Sequence, residues 1–182
     1  MNNMNAPVIY AAIKAVESFD KSMSSELSGE IVDAIHTHAG IAVASAWIPV
    51  SGLDIAALTA NIWTMYVRIN KKLGISFSEN MMKSIGSAVG ANLASNLAMT
   101  GIGSALKFIP GIGTIAGGII MSAAMYGTTV GAGWIYLTAL TNWVKKGKSS
   151  ADDLKGCIDD VMAQNKDDID SVIKEAKQCY RK

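Results

Sequence analysis

The chain has 182 residues, half of them apolar, 17% charged, and a formal net charge of +1. That length makes one domain the default, and the near-neutral balance gives no basic field for nucleic acid. The two cysteines, Cys157 and Cys179, fall in the C-terminal tail and read as reduced thiols; residues 1–10 lack a basic region ahead of an apolar run, so no signal peptide is expected.

Val8, Ala12, Ala15, Val16 and Phe19 recur at three- and four-residue steps, which predicts an amphipathic helix. The Ser-rich stretch at 22–28 is expected to break it, because serine favours caps over helix interiors. A second short helix would carry Ile31, Val32 and Ile35. Residues 40–67 are apolar over a length that crosses a bilayer, but Pro49 and Gly52 interrupt them. Proline removes a donor and glycine frees the chain to turn. The reading is a short helix at 40–47 and a longer one over Leu53–Leu73, placed either as a re-entrant hairpin or as one kinked span. A full span would put the acidic region 17–33 outside, and a hairpin would keep it inside.

Gly74 is a plausible C-cap, and Ser76 or Ser78 a plausible N-cap for a helix running from Glu79 to about Lys107. The last apolar helix opens after Pro110-Gly111-Ile112-Gly113 and continues to about Trp143. Between Ser84 and Val144 the single charge is Lys107. Small residues repeat at four-residue spacing along these helices: Gly86, Gly90, Ala94 and Ala98, then Gly113 and Gly117, then Gly127 and Gly131. Such a glycine-zipper pattern lets helix backbones approach closely, as membrane bundles require; an Ala-rich helical bundle in water is the competing reading. Trp134, Tyr136 and Trp143 precede Lys145, Lys146 and Lys148, an arrangement that anchors a helix at a cytoplasmic membrane interface. Arg68, Lys71, Lys72 and Lys83 are basic at the other end, which fits a helical hairpin with both ends cytoplasmic.

The tail opens on Ser150-Ala151-Asp152-Asp153, a capping-box-like start. Leu154, Cys157, Ile158, Val161 and Met162 form one apolar stripe, and Ile169, Val172, Ile173, Ala176 and Cys179 another, so the tail is expected to be two helices. The layout is therefore three-part. Residues 1–38 are amphipathic helices, 39–144 an apolar membrane-associated module, and 145–182 a charged helical tail. The fold class expected is all-α, a Gly/Ala-rich apolar bundle or set of hairpins flanked by amphipathic helices.

Asp54, Asn61 and Arg68 are spaced by seven and share one helix face. Charges in apolar spans face a bundle interior or a water path, so this is the candidate polar face; in the plainer reading Asp54 caps the helix and Arg68 marks its end. No catalytic constellation, cofactor site or metal site is expected. The glycines of Gly101-Ile102-Gly103-Ser104 are in the wrong order for a phosphate loop. His36 and His38 lie two apart on different faces, with no carboxylate or cysteine cluster to complete a metal site.

Residues 40–140 resemble the YcjF-type, GTPase-associated bacterial domain. The resemblance is carried by Ile48-Pro49-Val50-Ser51-Gly52-Leu53-Asp54, the helix with Asn61, Met65 and Arg68, and Leu73-Gly74. It continues through the small-residue helix at 85–99 and Lys107-Phe108-Ile109-Pro110-Gly111-Ile112-Gly113 with Thr128. It implies a membrane-associated, non-enzymatic module that anchors or regulates beside a GTPase. Only residues 1–38 precede the module here, so a GTPase partner is expected to act in trans. Membrane lipid, self-association and a cytosolic protein such as a GTPase are the partners expected, at a bacterial inner membrane with a cytoplasmic tail. Two rival expectations stand beside this one: an oligomeric pore-forming or membrane-remodelling protein, of the kind in which colicin-like toxins bury a Gly/Ala-rich hairpin, and a soluble helical oligomer.

Overall fold

A computed structural model describes residues 12–14, 26–45, 53–99, 113–147 and 150–180. The protein is all-α. The described helices are α1 (Glu26–Ser45), α2 (Leu53–Leu73), α3 (Glu79–Met99), α4 (Gly113–Lys145), α5 (Ala151–Gln164) and α6 (Lys166–Tyr180), with a further helical piece at 12–14.

The first difference from the sequence reading is in α1, which is one continuous helix where two were expected. Ile31, Val32, Ile35, Ala39 and Ala42 are all buried on one stripe that runs straight past Gly40. A single helix-interior glycine costs about 1 kcal/mol relative to alanine, less than the burial on either side of it returns. Helix α2 has the bounds its pattern predicts. Gly74, at φ +66°, ends it: Ile75 N–H bonds the Asn70 carbonyl at 2.9 Å and Gly74 N–H that of Lys71 at 3.4 Å. This is the paired closure in which a left-handed residue satisfies the last carbonyls. Of the two candidate serines, Ser78 caps α3, its hydroxyl accepting from Met81 N–H. The expected continuation of α3 to Lys107 lies outside the described residues. The capping box of α5 forms as predicted, with Ser150 Oγ accepting from Asp153 N–H and the Asp153 carboxylate accepting from Ser150 N–H.

Contacts fix the helix directions. Glu30 pairs with Lys72 at 3.0 Å and His38 with Asn61, so α1 and α2 are antiparallel. Asn70 meets Met82 while Gly86 lies against Trp63 and Gly90 against Thr59, so α3 runs back along α2. Tyr66 donates to the Ala132 carbonyl and Tyr136 to Asn70, which sets α4 parallel to α2. Ile173 covers Gly131, and Tyr180 stacks on Tyr126, so α6 returns antiparallel along α4.

Helix α4 is the centre of the molecule. Residues from Ser122 to Trp143 are buried almost all round, against α1, α2, α3, α5 and α6. A helix that is apolar on every side needs cover on every side, and the chain supplies it from its own two ends. Leu154, Cys157, Ile158 and Val161 of α5 and Ile169, Val172 and Ala176 of α6 join the same core as Ile31 and Ile35 of α1. The three stretches separated by polarity, 1–38, 39–144 and 145–182, therefore share one core, and α1 itself runs through residues 38 and 39. Among the described residues no helix is long and apolar enough to cross a membrane.

Candidate functional site

Two groups of buried polar side chains bind one another, whereas the Ser122, Thr128 and Thr138 hydroxyls of α4 are buried with no hydrogen-bond partner among the described residues. His38, 8% exposed, and Asn61, also 8% exposed, tie α1 to α2 through two bonds. An amide oxygen only accepts, so His38 Nδ1–H donates to Asn61 Oδ1 at 2.8 Å, and Asn61 Nδ2–H donates to the His38 carbonyl at 2.7 Å. Burial lowers the His38 pKa below its ordinary value; the hydrogen bond to Asn61 opposes this and the positive field of Arg68 adds to it. A second knot joins α2, α3 and α4. The Tyr66 and Tyr136 rings stack with centroids 4.0 Å apart. Tyr136 Oη–H donates to Asn70 Oδ1 at 2.7 Å, and Asn70 Nδ2–H reaches Met82 Sδ. Burial raises both phenol pKa values, that of Tyr66 further through the neighbouring Tyr136. Both phenols thus stay protonated as donors, with their protons engaged inside the protein. His36 meets Tyr126 of α4 at 2.6 Å, so the two histidines do point to different neighbours.

These placements rearrange the predicted polar face. Asn61 is in the core, Arg68 is exposed, and the Asp54 side chain lies outside the described residues. The buried partner of Asn61 is His38 of the same chain, which the spacing by seven did not reveal. A buried amide demanding partners, eight residues into an apolar helix, was the available signal.

The small residues occupy close helix contacts within the chain. A Cβ at Gly86 would lie 2.6 Å from the Trp63 Cα, and one at Gly90 would lie 2.7 Å from the Thr59 methyl. One at Gly127 would meet the Ile173 carbonyl at 2.7 Å, and one at Gly131 the Ile173 side chain at 2.6 Å. Ala94 is buried beside Leu93; the surroundings of Ala98, Gly113 and Gly117 lie outside the described residues. The Gly86–Gly90 and Gly127–Gly131 faces are thus filled by α2 and α6, not left for a second subunit.

The expected interface anchors divide between core and surface. Trp134 is 4% exposed and Trp143 fully buried. The Trp143 indole packs edge-on against Phe77 and donates to the Ser150 carbonyl at 2.9 Å. Both rings are core, and Trp143 is covered by Phe77 of the α2–α3 connection and by Ser150 ahead of α5. Lys145 and Lys146 are exposed, the latter 3.6 Å from Asp160, and Lys148 lies outside the described residues.

What remains on the surface is a polarised bundle. The ends of α1 and α3 and the starts of α2 and α4 lie together, beyond the level of His38, Asn61, Gly90 and Tyr126. In those four helix ends the one charged residue is Asp54. The two most exposed large apolar side chains of the described residues, Ile41 at 53% and Ile119 at 50%, both stand there. Around them are exposed Ala44, Ala56, Ala60 and Ala91. The segments 46–52 and 100–112 lie outside the described residues. The opposite end carries Glu30, Arg68, Lys71, Lys72, Glu79, Lys83, Lys145 and Lys146. Among the described residues there is no group of three His, Cys, Asp or Glu side chains able to hold a metal.

No family model, curated protein or solved structure matches the chain.

Proposed function

We propose that the protein is a non-enzymatic, membrane-associated helical module that meets the lipid interface with its charge-free end and presents its charged end and tail helices to a cytosolic partner. The observation that carries this is the segregation of charge: Ile41 and Ile119 project from an end whose four helix termini hold one charged residue. An exposed apolar patch fed by several elements marks an interaction surface. Apolar faces of this kind lie in the headgroup boundary without a spanning helix. The ionisable side chains His38, Tyr66 and Tyr136 support the non-enzymatic part, since they are engaged with Asn61, Asn70 or backbone. The resemblance of residues 40–140 to GTPase-associated domains makes a GTPase acting in trans the first partner to try, and a bacterial inner membrane with the tail on its cytoplasmic side the place to look.

The test is flotation of the full chain with phospholipid vesicles. Wild-type protein rises with the lipid, and the double variant Ile41→Asp/Ile119→Asp stays at the bottom while keeping its helical circular dichroism. Wild-type protein that remains at the bottom with every vesicle tried would sink the proposal. A soluble bundle is the second reading, and the closure of the glycine faces within one chain favours it; that outcome of flotation would establish it in place of the first.

A further inference from the structure

We infer that α6 is an exchangeable helix: two copies of the chain pair by each seating its α6 in the α4 groove of the other, with Asn165 as the hinge. The inference is independent of the membrane reading and needs no lipid.

The hinge is one residue long. Asn165 joins α5 to α6 at φ −115° and ψ 34°, and the helical bonding pattern is kept on either side of it. Asn165 N–H bonds the Val161 carbonyl at 3.0 Å, and Ile169 N–H bonds the Asn165 carbonyl at 2.9 Å. Between these two bonds the ladder is interrupted: among the described residues the amides of Lys166, Asp167 and Asp168 make no bond to the carbonyls of Met162, Ala163 and Gln164. A change of φ and ψ at Asn165 to helical values joins α5 and α6 into one helix, roughly 45 Å long at the helical rise per residue. It also restores those three bonds. No glycine or proline stands between Cys157 and Tyr180 to oppose the continuous helix.

The seat of α6 is one that a second copy reproduces. Helix α6 packs chiefly on α4, through Ile169, Val172, Ile173 and Ala176. Ile173 lies over Gly127 and Gly131, and Tyr180 stacks on Tyr126. The groove is shaped to this helix, since an added Cβ at Gly127 would meet the Ile173 carbonyl at 2.7 Å and one at Gly131 the Ile173 side chain at 2.6 Å. A straightened chain has an open groove on α4 and an unseated apolar stripe on α6. Two such chains close both at once, which is a reciprocal pairing with no open end. The part that exchange does not reproduce is the hinge, and there the closed chain carries a cost. Thr138 stands seven residues on from Gly131, on the same face of α4 and, by the antiparallel register, level with Lys166. Its hydroxyl is buried without a hydrogen-bond partner among the described residues, which disfavours the kinked form. Tight hinges that hold such a constraint are the ones at which chains exchange elements.

The experiment is size-exclusion chromatography with light scattering on the full chain across a range of concentrations, for wild type, Asn165→Ala and Asn165→Gly. Alanine favours the continuous helix and glycine the broken one, and the difference counts once per chain. The dimerisation constant of Asn165→Ala should therefore exceed that of Asn165→Gly by about tenfold or more. The place of α6 in the dimer is read from two cysteines, Tyr126→Cys and Tyr180→Cys in a Cys179→Ala background, bridged by a short bismaleimide. Exchange predicts bridges between chains in the isolated dimer, seen as a covalent dimer on a denaturing gel, and bridges within one chain in the isolated monomer. A dimer bridged only within each chain is held by another surface and overturns the inference. Equal dimerisation constants for the alanine and glycine variants overturn it too, as does a chain that stays monomeric in all three forms.

Discussion

Substituting alanine for glycine along these helices should change sign with position, and the contacts say where. At Gly156 nothing lies within 4 Å of an added Cβ, and the residue is exposed inside α5. Gly156→Ala should stabilise the protein by about 0.5–1 kcal/mol, the difference in helix propensity and chain entropy. Gly86 has the same propensity gain, but its Cβ would sit 2.5 Å from the Trp63 Cβ and 2.6 and 2.8 Å from the Trp63 Cα and N. Backbone cannot rotate aside as a side-chain end can, so α2 and α3 must separate along their contact. Overpacking of this kind costs about 1–3 kcal/mol and more where backbone shifts, leaving Gly86→Ala destabilised by about 1–2 kcal/mol net of the propensity gain. Gly131 falls between, since its added Cβ meets only the Cγ1 and Cδ1 of Ile173, which a rotamer change can move; Gly131→Ala should be near neutral. Urea denaturation of the three variants, read as midpoints at constant slope, gives the order Gly156→Ala, Gly131→Ala, Gly86→Ala from most to least stable. A Gly86→Ala protein as stable as Gly156→Ala would mean that α2 and α3 do not approach as described.

Asn61→Ala leaves the His38 Nδ1–H and the His38 carbonyl without their bonds between α1 and α2, and should cost about 1–3 kcal/mol in the same assay. The pH dependence of stability should carry a His38 component of defined sign. Its folded pKa lies below its ordinary value, so on acidification the unfolded chain takes the proton first. This contribution is present above about pH 6.5, the unfolded value, and is lost as pH falls through the folded value. His38→Gln should flatten that part of the stability profile, and an unchanged profile would remove His38 as its source. Ser150→Ala removes the capping box of α5 and should cost about 1 kcal/mol, read as a lower thermal midpoint.

The parts of the fold legible in the sequence are those with local causes. The bounds of α2 follow from Pro49 and Gly52 before it and Gly74 after it, and the start of α5 from Ser150 and Asp153. The tail stripes, Leu154 to Val161 and Ile169 to Ala176, are buried as amphipathic helices should be. What failed to show was what each stripe packs against. The continuity of α1 past Gly40 depends on burial by α2 and α4, which no local signal reports. Helix α4 is the clearest case. A helix apolar on all sides is solved equally well by lipid or by protein, and its sequence cannot choose; the choice is made by Ile173 filling the groove at Gly127 and Gly131, more than forty positions away along the chain. Trp143 before its lysines has the look of an interface anchor for the same reason, until Phe77 and Ser150 are brought over it. On the candidate polar face Asn61 does turn inward to a polar contact with another helix, but its partner, His38, could not be named from the spacing. The charge-free end was half legible: the missing charges were plain in the sequence, but only the antiparallel directions of α1 to α4 gather them at one place.

The central claim is that this end enters the lipid interface. It is tested most directly by an environment-sensitive fluorophore on a single cysteine placed by Ile119→Cys, in a chain where the exposed Cys179 is replaced by alanine and the buried Cys157 is kept. The account predicts that adding phosphatidylcholine vesicles shifts the emission to the blue and makes it quenchable by a lipid-borne quencher, while the same probe at Lys71→Cys stays unchanged. No response at position 119, or a response confined to position 71, would contradict it.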